Sequence, residues 1–345
     1  MASAWMGPLA YYLPREIVDN ETLASASQGG WSADRIHEKT GIRTRHVAAP
    51  DECASDLAVA AATQLFDSGL CMREDIDYLL FCTQSPDYFL PTTACLIQDR
   101  LGLRTSIGAL DFNLGCSGFV YGLGLAKGLV ETGQGRRVLL LTAETYSKHM
   151  HPGDLNVRTL FGDAAAAVVI EARDDSREGL GPFVFGTDGS GGERLIVRTG
   201  GMRSPRDPSP QTVVDERGNA RTINDLYMDG AEIFGFTLRA VHQAVADCLA
   251  AADLPIDAVD LFVFHQANEY MLSHLRRKCQ IPADRFVVDM EDCGNTVSST
   301  IPIVLARAAA RGQLNDGMRV MLVGFGVGYS WSAALVRWNQ ARRGC

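Results

Sequence analysis

The chain repeats itself. The segment DYLLFCTQSPDYFLPTTACLIQDRLGL begins at Asp77, and DLFVFHQANEYMLSHLRRKCQI begins at Asp260. Each runs from a short β-rich stretch (Tyr78–Phe81, Leu261–Phe264) through a loop into a helical pattern. A second pair follows in the same order, and its endpoints lie the same 183 residues apart: LAKGLVETGQGRRVLLLTAETYS, ending at Ser147, and LARAAARGQLNDGMRVMLVGFGVGYS, ending at Ser330. Repetition at a fixed offset constrains the fold more than any single motif, because two copies of one unit have to bury their apolar faces together.

The repeated unit is an α/β one. RRVLLLTA, AAAAVVIEA, LFVFHQ and RVMLVGFG are continuously apolar, as strands covered by helices on both faces are, and longer helical patterns separate them. The spacing predicts two pseudo-symmetric halves, residues 1–175 and 176–345, joined near EARDDSREGLG. Arg198–Asp225, rich in Pro, Gly and charge, reads as a long surface excursion within the second half.

Composition excludes several classes. A net charge of −9 with no long basic stripe argues against nucleic acid. No apolar run approaches the roughly 18–20 residues that span a bilayer, and MASAWMGPLAYYLP lacks the basic start and apolar run of a signal peptide. A cytoplasmic protein is the expectation. The nine cysteines include no C-x-x-C pair, so neither a metal site nor a redox pair of the usual kind is expected. Eight read as reduced, buried small hydrophobes. The ninth, Cys116, is the exception.

In LDFNLGCSGFVYG, Cys116 stands between the strand-like GALDF and a helical pattern that begins at Ser117. A thiol at a helix N-terminus gains from free backbone N–H groups, which favour the thiolate. Gly115 and Gly118 permit a tight turn, and the Cys116 N–H is placed to serve an oxyanion hole. Of the seven histidines, His265 alone ends a buried strand, where α/β sheets place their chemistry. Thirty residues on, Asn295 in DCGNTVSST occupies another loop-to-helix junction. The duplication gives the three a geometric reason to converge between the halves.

With these residues, the chain resembles the condensing enzymes of the thiolase fold, specifically the β-ketoacyl-acyl carrier protein synthase III family. The resemblance rests on TGIRTRHVAAPDE, GCSGFVYGL, FGDAAAAVVI, FHQAN, GNTVSSTIP and GFGVGYSWSAALVRW. It implies an α-β-α-β-α layered fold and a Cys116–His265–Asn295 triad. It also implies an acyl-cysteine formed from an acyl thioester, and decarboxylation of malonyl-carrier protein or malonyl-coenzyme A to a nucleophilic enolate. No metal or redox cofactor is implied. Phe325 and the loop Gly326, Val327 and Gly328 are implied as active-site wall and oxyanion donor. The resemblance further implies a homodimer in which Leu90 reaches across to floor the partner's acyl pocket; a leucine there suits a longer or branched primer.

The match has departures. Arg35 and Lys39 stand where the family has a tryptophan and an arginine for the coenzyme A nucleotide, with Trp31 nearby but off register. A further coenzyme A arginine falls on Leu155, and a carrier-protein arginine on Tyr270. With Arg35 and Lys39, residues Asn268, Arg277 and Lys278 are the implied coenzyme A or acyl carrier protein contacts. A classical thiolase would need a second cysteine in LVGFGVGYSW, which has none. Two alternatives remain: transfer of the acyl group to an oxygen or nitrogen nucleophile, and a non-catalytic dimer on the same scaffold.

Overall fold

The architecture comes from a computed structural model, whose described residues are 2–25, 31–175 and 179–339. Residues 176–178 of the joining segment and Cys345 lie outside them.

Two mixed sheets share one plan. The N-terminal sheet runs Ser3–Tyr12, Ala164–Arg173, Arg137–Glu144, Tyr78–Cys82, Gly108–Phe112; its first two pairings are antiparallel and its last two parallel. The C-terminal sheet runs Leu180–Thr187, Ser330–Arg337, Arg319–Gly326, Leu261–Phe264, antiparallel, antiparallel and parallel. A parallel bridge from Phe262 to Phe286 stands where the first sheet has its fifth strand.

The aspartates that open the repeats do the same work. The Asp77 N–H donates to the Arg137 carbonyl (2.9 Å), and Asp77 Oδ2 accepts from the Arg137 N–H (3.1 Å). Asp260 and Arg319 repeat the pair at 2.9 and 2.8 Å. The matched endpoints Ser147 and Ser330 are not equivalent, however. Ser147 lies in the turn Tyr146–His149, whereas Ser330 opens the last strand, so the repeat slips beyond Glu144 and Gly326.

Side chains that alternate along each strand explain the continuous apolar runs. Leu80, Leu140 and Val168 of one sheet, and Val263, Leu322 and Ala334 of the other, face a central layer. That layer is formed by the helices Gly118–Glu131 and Thr300–Ala310, through Val120, Leu123, Val304 and Leu305. Leu79, Phe81, Leu139 and Leu141 face outward onto Ala54–Asp67 and Thr93–Arg100. Phe262, Phe264, Met321 and Val323 face the helices Gly230–Ala251 and Glu269–Lys278. The result is the expected α-β-α-β-α sandwich.

One expectation needs correction and one gains a detail. The excursion Arg198–Asp225 is largely exposed, as expected, and it is anchored. It is tied to the turn before the helix Leu155–Arg158 by Ala220 N–H to Gly153 O (3.0 Å) and Leu226 N–H to His149 O (2.7 Å). Leu195 and Leu226, at its ends, pack in the apolar cluster around Cys116. Within it, Thr199 pairs with Asn224 at 2.6 Å, while most of its polar residues are exposed, as its composition implies. Among the cysteines, Cys53 and Cys95 are exposed rather than buried; all eight described ones are free thiols.

Candidate active site

The strand Gly108–Phe112 leads to Cys116, and the helix starts at Gly118 with Ser117 as its cap. The elbow is tight because backbone must pass close to backbone. A Cβ on Gly324 would stand 2.7 Å from Ser117 Cα, and one on Gly326 would stand 2.9 Å from Cys116 Sγ. Two serine contacts lock the seat: Ser117 Oγ to Ser330 Oγ at 2.6 Å, and Ser332 Oγ donating to the Ser117 carbonyl at 3.3 Å. The loop expected to form part of an oxyanion hole therefore lies against the thiol, and the Val327 and Cys116 backbone N–H groups favour its ionised form. Phe325 and Gly326 are buried, Val327 is half-buried and Gly328 exposed.

The helix end does not make this thiol acidic. Cys116 is enclosed by Tyr146, Val157, Phe161, Leu195, Leu226 and Val297. Burial pushes its pKa up to about 12, the Glu144 carboxylate pushes the same way, and the two backbone N–H groups only partly offset them. Desolvating an anion outweighs a partial dipole at one helix end.

His265 follows the strand Leu261–Phe264, and its N–H donates to the Val323 carbonyl at 2.8 Å. Its ring meets Phe325 edge-on at 5.3 Å. Burial holds it at about 3, so the imidazole is neutral across the physiological range. Nδ1 lies 2.8 Å from Thr300 Oγ1, which is also 3.2 Å from the Val297 carbonyl. Donation by the Thr300 hydroxyl to Nδ1 puts the ring proton on Nε2; donation to Val297 gives the other tautomer.

Asn295 is held at both backbone ends: its N–H donates to Leu160 O at 2.8 Å, and its carbonyl accepts from Gly162 N–H at 3.0 Å. Its Oδ1 accepts from the Val297 N–H at 3.0 Å, and its Nδ2 donates to the Ala267 carbonyl at 3.5 Å with a second N–H to offer. Val297 adopts φ +54°, a conformation that β-branched residues avoid. That kink turns its N–H onto Asn295 and its carbonyl towards Thr300.

The remaining expected residues are distributed elsewhere. Leu90 is 82% exposed in a tip with Tyr88 and Phe89, away from the thiol's own enclosure. Arg35 and Lys39 project from the helix Ala33–Thr40 over the Trp31 ring, at 5.6 and 4.8 Å from its centroid. Asn268 caps the helix Glu269–Lys278 by accepting from the Met271 N–H at 2.8 Å. Arg277 and Lys278 are exposed at that helix's other end, about 14 Å away by helical rise. The structure brings Cys116, His265, Asn295 and Phe325–Val327 into one neighbourhood and does not gather these others with them. Sequence reasoning missed Thr300, Tyr146, Phe161 and Glu144. Glu144 carried a legible signal, since it ends the buried strand Arg137–Glu144 much as His265 ends another.

A cysteine elbow and a buried histidine–asparagine pair, set between two duplicated halves, define a thiolase-fold condensing enzyme. The family model for 3-oxoacyl-[acyl-carrier-protein] synthase III matches residues 110–189, and that for the family's C-terminal part matches 249–338. The β-ketoacyl-[acyl-carrier-protein] synthase III of Caldanaerobacter subterraneus is 33% identical over 329 residues, covering 95% of this chain and 96% of its own. A 2.1 Å crystal structure of a 3-oxoacyl-(acyl-carrier-protein) synthase III superposes with TM-score 0.96 at 52% identity, covering 97% of this chain and 100% of that one. The 3-oxoacyl-(acyl-carrier protein) synthase of Burkholderia xenovorans does so with TM-score 0.89 at 35% identity, covering 97% and 94%. The chain belongs to the 3-oxoacyl-[acyl-carrier-protein] synthase III family.

Proposed function

We propose that Cys116, His265 and Asn295 carry out the family's condensation in this chain. The observation that carries the reading is the shared enclosure of Cys116, the Val327 N–H and the Val297 turn that orients Asn295. Cys116 Sγ attacks the carbonyl of an acyl thioester. Its proton passes to the departing thiolate, and an acyl-cysteine remains. The Cys116 and Val327 N–H groups face the oxygen that becomes negative in that step. A malonyl thioester then loses carbon dioxide. Its enolate oxygen accepts hydrogen bonds from His265 Nε2–H, in the Thr300-donated tautomer, and from Asn295 Nδ2. The enolate carbon attacks the acyl carbonyl, the C–S bond to Cys116 breaks, and a β-ketoacyl thioester leaves.

Acyl-coenzyme A and an acyl carrier protein are the donors that suit this chemistry, and Arg277 and Lys278 offer an acidic carrier protein an exposed basic pair. Asn268 is engaged as a helix cap, and Arg35 and Lys39 lie over Trp31, which leaves that pair with Trp31 as the surface for a nucleotide. The working unit is a homodimer, in which Leu90 floors the partner's acyl pocket. Its supports are the exposed apolar tip Tyr88–Leu90 and the edge position of the strand Gly108–Phe112. The division at residues 1–175 and 176–345 is part of this reading, as is a cytoplasmic location; no helix among the described residues is long and apolar enough to cross a membrane.

The test is release of carbon dioxide from malonyl-carrier protein with a panel of acyl-coenzyme A primers. The wild-type chain should release it in step with β-ketoacyl product, and Cys116→Ala should make no product. Product from Cys116→Ala, or transfer of acyl groups to alcohols or amines without carbon dioxide release, would refute it.

A further inference from the structure

Beneath the elbow lies a buried carboxyl that the condensation just described does not use. Glu144 is fully buried at the end of its strand. Three donors face it: the Gln84 N–H at 3.0 Å and the Ser85 hydroxyl at 3.3 Å, both on Oε2, and the Ser298 hydroxyl at 3.0 Å on Oε1. Gln84 and Ser85 belong to the N-terminal half, whereas Ser298 belongs to the turn that carries Asn295 and Val297. The neighbouring Ser299 makes the same kind of crossing, lying 2.8 Å from Thr142 Oγ1 and donating to the Thr142 carbonyl at 3.2 Å. Through this seam the first half's central strand grips the second half's catalytic turn.

No salt-bridge partner holds Glu144 among the described residues. The Asp163 carboxyl acts on it, and it acts in turn on the side chains of Cys82, Cys116 and Tyr146. Burial pushes its carboxyl up to about 8, with Asp163 adding to the rise and the three donors opposing it. A protonated carboxyl can keep the Ser298 contact by donating to the hydroxyl oxygen; an ionised one keeps it by accepting.

We propose that Glu144 is a positioning residue of the condensation, whose buried carboxyl ties the Asn295 turn to the first half. The inference rests on Cys116 being the nucleophile.

Glu144→Gln keeps the tie, because the amide can accept from Gln84 and Ser85 and donate to Ser298, whereas Glu144→Ala removes it. The experiment measures malonyl decarboxylation and Cys116 acylation separately in the full-length protein of each variant. Glu144→Ala should lose at least tenfold more condensing rate than Glu144→Gln, and in it decarboxylation should fall by more than Cys116 acylation. Equal condensing rates in the two variants, or equal effects on both steps in Glu144→Ala, overturn the proposal. Should Glu144→Ala fail to fold, Ser298→Ala carries the test: malonyl decarboxylation should fall by more than Cys116 acylation, and equal effects on both steps overturn the proposal. An error in the nucleophile shows separately, as condensation surviving in Cys116→Ala.

Discussion

A single methyl group at position 326 should disable the thiol. In Gly326→Ala the new Cβ would lie 2.8 Å from Cys116 Cβ and 2.9 Å from Sγ. Carbon atoms pack best at about 3.5–4.0 Å, so the overlap approaches an ångström. The strain has no soft outlet: Cys116 is carried on the elbow that Ser330 and Ser332 clamp through Ser117. Overpacking of this kind costs about 1–3 kcal/mol, which lowers the melting temperature by a few degrees. A displacement near 1 Å costs about 10²-fold in rate at a reacting atom. The assay is the rate of Cys116 acylation by acyl-coenzyme A, followed as a mass increase of the intact protein, together with thermal melting. Gly128→Ala is the control, since nothing lies within 4 Å of a Cβ there; it should acylate normally. Acylation of Gly326→Ala at the wild-type rate would refute the close approach of loop and nucleophile.

Other outcomes follow from the same geometry. His265→Ala and Asn295→Ala should each lower condensation by about 10²–10³-fold, as loss of an oxyanion donor does, while Cys116 still acylates; product formation with and without prior acylation separates the steps. His265 should also make the fold acid-sensitive. Its folded value of about 3 lies below the ordinary 6.5, so the unfolded chain binds more protons between those values. Its stability contribution is therefore whole above pH 6.5 and falls as pH drops towards 3. The melting temperature should decline from pH 7 to pH 5, and His265→Asn should flatten the decline. Leu90→Phe should shift primer preference towards shorter acyl groups without altering the chain's own Cys116 enclosure; an unchanged preference across a primer panel would remove Leu90 from the pocket.

Much of this was legible in the sequence, and the reasons are physical. Two copies of a unit leave matching apolar runs because strands buried on both faces tolerate little else, and Asp77 and Asp260 marked the start of each copy before any coordinates did. The elbow at Cys116 was legible because only small residues allow backbone to cross backbone there. What the chain concealed was long-range. The excursion 198–225 is surface by composition and in the structure; what composition could not show is its anchor, the Ala220 N–H on the Gly153 carbonyl. The charge on Cys116 was misjudged, since a helix N-terminus is visible in one dimension whereas the enclosure by Leu195, Leu226 and Val297 is not. Thr300, which orients His265, lies 35 residues from it and reads as one more helix-start threonine.

The central claim, that Cys116 holds the acyl group and yields it to a malonyl-derived carbon, is met most directly by one measurement. Intact-mass spectrometry would follow the protein with acyl-coenzyme A thioesters and acyl-carrier proteins, then after addition of malonyl-carrier protein. The account predicts an acyl adduct on Cys116, absent from Cys116→Ala, that disappears as β-ketoacyl product and carbon dioxide form. No adduct from either donor, or an adduct that persists in the presence of malonyl-carrier protein, would contradict it.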